Sequence, residues 1–274
     1  MGNYSKNISE RIRHVRIKEG YCLICGSYGE LTMDHVPPKG AITVSKIEQK
    51  HIFEILGADN IKLKGIKSNN GSRFKTICAK CNNEIIGKND QEVSSVIKEL
   101  NTKIKKHFSD FHSINNSVSV RFDPIRFCRA MIGHILSATT VNYCRQKPVN
   151  SAYFTPLQDF VLGNDNALND THDIYYWFYP NKMHFSGKIM SFYNDGNFCI
   201  ISILSFFPIA FLLSEKSKGI YPAQATKLTF NDSHIIMNLS LQNIKYANFP
   251  FIVYKGYSIC MGVDEMCIVS YPIK

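Results

Sequence analysis

YCLICGSYGELTMDHVPPKG, residues 21–40, and ICAKCNNEIIGK, residues 77–88, carry most of what this chain says about its fold. Each contains a C-x-x-C pair, Cys22 with Cys25 and Cys78 with Cys81, and the 52 residues 26–77 separate them. A two-residue spacer lets both thiolates of a knuckle turn towards one ion, so the four together predict a tetrahedral, structural zinc site. The gap is longer than a simple zinc ribbon needs, and something sizeable must be looped out between the knuckles. The chain has nine cysteines. In a reducing compartment these argue for metal ligands plus buried thiols, and Cys128, Cys144, Cys199, Cys260 and Cys267 are read as the thiols.

Outward from the knuckles, residues 21–88 are rich in Gly, Asn and Lys with short apolar stretches, as in a small module where metal replaces core. Val93, Ile97, Leu100, Ile104 and Phe108 then recur at helical spacing, and Asp90 is placed to cap a helix over 90–108. Polar residues 109–118 read as a linker. Asp123-Pro124 opens a second helix, with Gly133 marking a close contact. Before the knuckles, residues 7–18 suit a short basic helix. Beyond Ala152 the pattern turns to strands, with Asn194-Asp195-Gly196-Asn197 as a hairpin turn. The aromatic run Tyr175–Tyr179 is read as core. The expected fold is α+β: a first domain over 1–110 with its nucleus at 21–90, and a mainly antiparallel β domain over 119–274 with one prominent helix.

The formal charge is +10. Residues 1–110 hold 19 basic and 12 acidic side chains, net +7, against net +3 for the remainder. The excess sits with the cysteine pairs, which favours a polyanionic partner. Met1–Gly20 lacks the apolar core of a secretory signal, so a cytoplasmic location is expected. The longest apolar run, Phe198–Leu213, is too short for a membrane helix and contains Pro208.

Between the knuckles stands Asp34-His35-Val36-Pro37-Pro38, and Asn82 follows Cys81 directly. C-x-x-C, an apolar strand running into Asp-His-Val-Pro-Pro, and C-x-x-C-Asn opening a helix resembles the zinc-stapled branch of the HNH endonuclease family, over roughly residues 21–90. The resemblance implies a ββα-metal module that hydrolyses phosphodiester bonds, with His35 as general base and Asp34 and Asn82 as ligands of a catalytic Mg²⁺ or Mn²⁺. Those types suit the chemistry: a neutral imidazole accepts a proton near pH 7, and hard oxygen donors hold Mg²⁺. On a strand, Asp34 and His35 would point to opposite faces, with a slight bulge adjusting their aim. Lys39, Arg73, Lys75, Lys80 and Lys88 are the expected phosphate contacts. The partner implied is nucleic acid, DNA before RNA, in a setting such as restriction or anti-phage defence, with no membrane. A homodimer or an activating partner fits cleavage of two strands. A zinc module that binds nucleic acid without cutting it is the alternative. The middle asparagine of the family pattern is not matched, since Arg73 stands nearest its place; Asn69, Asn70 or a backbone carbonyl remains to orient His35. His134 and the other histidines, His14, His51, His107, His112, His172, His184 and His234, show no catalytic spacing and are read as structural or surface residues.

Overall fold

The structure is a computed structural model that describes residues 17–43, 45–52, 65–110, 116–194, 196–218, 221–251, 258–262 and 266–273. Most of the expected basic helix at 7–18 lies outside them. The described chain is mixed α and β, with antiparallel sheets predominating.

Three strands surround the first knuckle: β1 (Glu19–Tyr21), β2 (Tyr28–His35) and, after β3 (Ile47–His51) and β4 (Ile66–Ser68), β5 (Arg73–Cys78), in the order β1-β2-β5. The Cys22–Cys25 knuckle is the tight turn between β1 and β2. Its Gly26 closes the turn at φ +69°, a backbone region that side chains other than glycine resist. A π-helical stretch over Lys80–Ile86 follows β5 and passes into helix α1 (Gly87–Ser109). Val93, Val96, Ile97, Leu100 and Ile104 form its buried stripe, whereas Phe108 is exposed. Because the helix begins upstream of the expected start, Asp90 lies inside it and its carboxylate is free to make a tertiary contact.

After β6 (Ser117–Arg121) comes α2 (Pro124–Ser137), capped as expected: the Asp123 side chain accepts the Arg126 N–H at 3.1 Å. Gly133 is the close contact, since a Cβ there would lie 2.7 Å from Ile86. A shorter helix absent from the sequence reading, α3 (Phe154–Leu162), follows. Next come β12 (His234–Asn238) and the strands of a large sheet, β7 (His172–Phe178), β8 (His184–Asn194), β9 (Asn197–Phe206), β10 (Ile209–Glu215), β11 (Thr226–Leu228), β13 (Ser258–Gly262) and β14 (Cys267–Pro272). Its order is β11-β7-β10-β9-β8-β14-β3-β4, with β13 also on β8, while β12 pairs with β6.

The hairpin turn falls at Asn194–Asn197, and the apolar run 198–213 becomes the β9–β10 hairpin. Both sheet faces are covered. On β7, Ile174 and Tyr176 face the largest core while Tyr175 and Trp177 face a second one, the period-2 alternation of a buried strand. Residues on either side of 110–118 share the largest core, from Cys22 and Phe74 through α1 and α2 to Phe211 and Ile268. Strands β3 and β4, from the looped-out stretch between the knuckles, extend the C-terminal sheet by pairing with β14. No helix among the described residues is long and apolar enough to cross a membrane.

Candidate functional site

Two turns bring the four cysteines together. Cys22 and Cys25 flank the β1–β2 turn, where the Cys22 N–H reaches Ser27 O and the Gly26 N–H reaches Cys22 O, each at 2.9 Å. Cys78 ends β5 and Cys81 lies on the first helical turn beyond it. The four sulfurs lie within 4.8 Å of one another, and Cys25 and Cys78 are 3.8 Å apart. A tetrahedral site with Zn–S bonds of about 2.3 Å has edges of about 3.8 Å, so the cluster could hold a zinc ion. The thiols respond to their crowding. A hydrogen bond from Cys81 lowers Cys22 to about 5, and Cys81 is correspondingly raised. Burial, with neighbouring thiolate charge, pushes Cys78 up. A divalent cation relieves this competition by ligating all four as thiolates.

Beside the cluster, β2 pairs with β5 through Leu31–Cys78 and Thr32–Ile77, then shifts so that Asp34 faces Phe74 and His35 faces Arg73. Lys75 and Thr76 oppose Met33 alone, which makes this a β-bulge carried by β5. Asn82 seals it from the helix start: its amide nitrogen donates to Met33 O at 2.9 Å and to Thr32 Oγ1 at 3.0 Å. With the nitrogen fixed on the strand, the amide oxygen is turned away from these two acceptors.

His35 is half-buried and accompanied by cations. Burial lowers its pKa, the Arg73 and Lys39 charges lower it further, and Asp34 and a hydrogen bond to the Asn70 carbonyl oppose them. The imidazole is therefore neutral at pH 7. A neutral imidazole keeps one ring nitrogen as a proton acceptor, and the Asn70 backbone is among the groups that act on the ring. Of the expected phosphate contacts, Arg73 and Lys39 lie close enough to act on His35. Lys75 is half-buried on β5, and Lys80 and Lys88 are exposed about the helix start.

Asp34 turns inward, at 3% exposure. Its Oδ2 accepts from His134 Nδ1 at 3.0 Å and from the Ser137 hydroxyl, both on α2. His134 Nε2 donates to Asp90 Oδ1 at 2.8 Å, so the imidazole bridges β2 and α1. Burial opposes charge on His134, but the two carboxylates outweigh it and raise the pKa to about 10. This ring is an imidazolium with both N–H groups used. By sequence alone His134 falls among structural or surface residues. Asp34 and His134 lie 100 residues apart, so no local spacing could have paired them; a lone histidine on the apolar face of α2 was the available signal.

The chain matches no family model, no curated protein and no solved structure.

Proposed function

We propose that the chain is a metal-dependent phosphodiesterase of the HNH type acting on nucleic acid, with DNA as the expected substrate. The supporting observation is a half-buried, neutral His35 at the β2–β5 bulge beside the cations Arg73 and Lys39, with Asp34 next to it on β2 and Asn82 bound to the same strand. Two antiparallel strands followed by a helix also agree with a ββα arrangement.

In this reading His35 takes a proton from the attacking water on its unprotonated ring nitrogen. Arg73 and Lys39 bind the phosphate and lower the cost of the developing negative charge. Asp34 Oδ1, which takes no part in the His134 and Ser137 bonds, and Asn82 Oδ1 would be the donors for Mg²⁺ or Mn²⁺. When bound, such an ion supplies a Lewis acid at a phosphoryl oxygen. His134 and Ser137 hold the Asp34 carboxylate in place.

The burial of Asp34 and the engagement of its Oδ2 favour a second reading, a zinc module that binds nucleic acid without cutting it. Supercoiled plasmid separates the two. The first reading expects nicking with Mg²⁺ or Mn²⁺, abolished by chelator and reduced about 100-fold or more in His35→Ala, with unchanged affinity in a gel-shift assay. Binding without cleavage under every metal condition supports the second.

A further inference from the structure

Against the first knuckle, at Leu23, lies a cavity of about 610 Å³, within the range of small-molecule sites. Leu23, Leu136 and Phe154 give it apolar and aromatic walls, and Arg145, Lys147 and Lys188 give it three positive charges with no carboxylate in the lining. Arg145 and Lys147 are exposed at the rim. Lys188 is only 6% exposed, and among the described residues its ammonium makes no hydrogen bond or ion pair, lying 5.6 Å from the centre of the Phe154 ring. An ammonium held in the interior without a protein acceptor is costly, and this one opens on the cavity, where an anion can complete it. Apolar side chains, an aromatic ring and three cations in one lining are complementary to a heteroaromatic base joined to a phosphate.

We propose that this cavity is a binding site for a nucleoside phosphate, with the phosphate on Lys188, Arg145 and Lys147 and the base against Leu23, Leu136 and Phe154. A free nucleotide and the 5′-phosphorylated end of a strand share this chemistry. Burial lowers Lys188 to about 8, so the ammonium remains mostly protonated at pH 7 and can meet an anion. The site touches both the metal centre and α2. Leu23 stands between Cys22 and Cys25, its carbonyl accepts from Gln158 Nε2 at 2.9 Å, and Leu136 adjoins Ser137, which holds Asp34. The competing role for Lys188 is to balance thiolate charge, since Cys144 and Cys22 lie close enough to act on it. Neither role depends on the chain being a nuclease.

The test is calorimetric titration of the full, zinc-loaded chain with AMP, GMP, CMP and UMP, a 5′-phosphorylated trinucleotide, adenosine and inorganic phosphate. At least one phosphorylated nucleoside or strand end should bind one per chain, at least tenfold tighter than adenosine or phosphate. Tighter binding of a monophosphate identifies the free nucleotide as the ligand, and tighter binding of the trinucleotide the strand end. Lys188→Met should weaken that binding at least tenfold at unchanged zinc content. Should that variant not fold, Arg145→Ala/Lys147→Ala, both on the exposed rim, must still weaken binding at least threefold. The proposal is overturned if no member of the panel binds, if the Lys188 variant (or, should it not fold, the rim variant) binds as the wild type does, or if Lys188→Met instead releases zinc.

Discussion

Two buried histidines, each beside an aspartate, behave in opposite ways. His134, at the junction of α2 with β2 and α1, is 1% exposed and carries a proton up to about pH 10. His172, at the start of β7, is 4% exposed, and burial lowers its pKa to about 4. The difference is how many carboxylates each ring meets. His134 donates directly to Asp34 and Asp90. His172 neighbours Asp173, but that carboxylate is engaged by Lys216 at 3.2 Å, Lys227 at 2.8 Å and the Ser217 N–H at 2.9 Å. The Nδ1 of His172 meets the Thr171 hydroxyl at 2.9 Å, and its Nε2 has no partner among the described residues. Around the bulge, then, the interior is organised by charge and by the four-cysteine cluster. In the large sheet it is organised by apolar packing that keeps a histidine neutral.

If that contrast is right, the largest effect should come from removing the cation implied by the cysteine cluster. Cys22→Ser or Cys78→Ser is expected to abolish stoichiometric zinc and cooperative folding around the bulge, because structural zinc supplies about 10–16 kcal/mol in small modules. Metal analysis and thermal unfolding check this; a zinc-free protein with an unchanged Tm would break the comparison at its root.

Next in size is the charged histidine itself. His134→Gln leaves the buried Asp34 carboxylate and the part-buried Asp90 carboxylate without their cation and should cost about 3–5 kcal/mol in urea unfolding at pH 7. His172→Gln, which removes a neutral ring, should cost about 1–2 kcal/mol. Equal costs would mean that the two sites do not differ in kind.

The residue before His134 gives a steric version of the test. In Gly133→Ala the new Cβ would meet Ile86 Cδ1 and Cγ1 at 2.7 Å, so α2 must shift from the π-helical stretch or Ile86 must turn. Overpacking of this kind costs about 1–3 kcal/mol. Combining it with Ile86→Val should cost less than the two separate effects together.

The pH dependence sharpens the comparison further. His172 has a folded pKa below the ordinary 6.5, so between about 4 and 6.5 the unfolded chain binds more protons. Its contribution is fully present above pH 6.5 and declines as pH falls to 4. His134 has the opposite sign: its contribution is fully present below 6.5 and is lost as pH rises through about 10. His172→Gln should therefore flatten the acid limb of the stability profile, by about 1.4 kcal/mol at pH 5.5. His184 in β8, also lowered to about 4 by burial, retains the rest of that limb. An unchanged acid limb would show that His172 is protonated in the folded state.

The smallest expected effect is at the cap of α2. Asp123→Ala removes the acceptor for the Arg126 N–H and should cost about 1 kcal/mol without altering zinc content.

Several of these features are written in the sequence by itself. Cysteine spacing identified the four candidate ligands, Asp123-Pro124 marked the start of α2, Gly133 announced a close contact, and alternation with Asn194–Asn197 located the long hairpins. Each depends on neighbours a few residues away, where backbone geometry leaves few choices. Other features were decided by the tertiary structure. The Asn70 backbone acts on His35, Asn82 clamps the bulge, β3 and β4 join the C-terminal sheet, and Asp34 meets a histidine 100 residues later. These are long-range pairings, chosen by which surfaces pack and which buried polar groups then find partners. A pattern of residue types carries no coordinate for them, and so the charge on His134 was visible only once α2 lay against both β2 and α1.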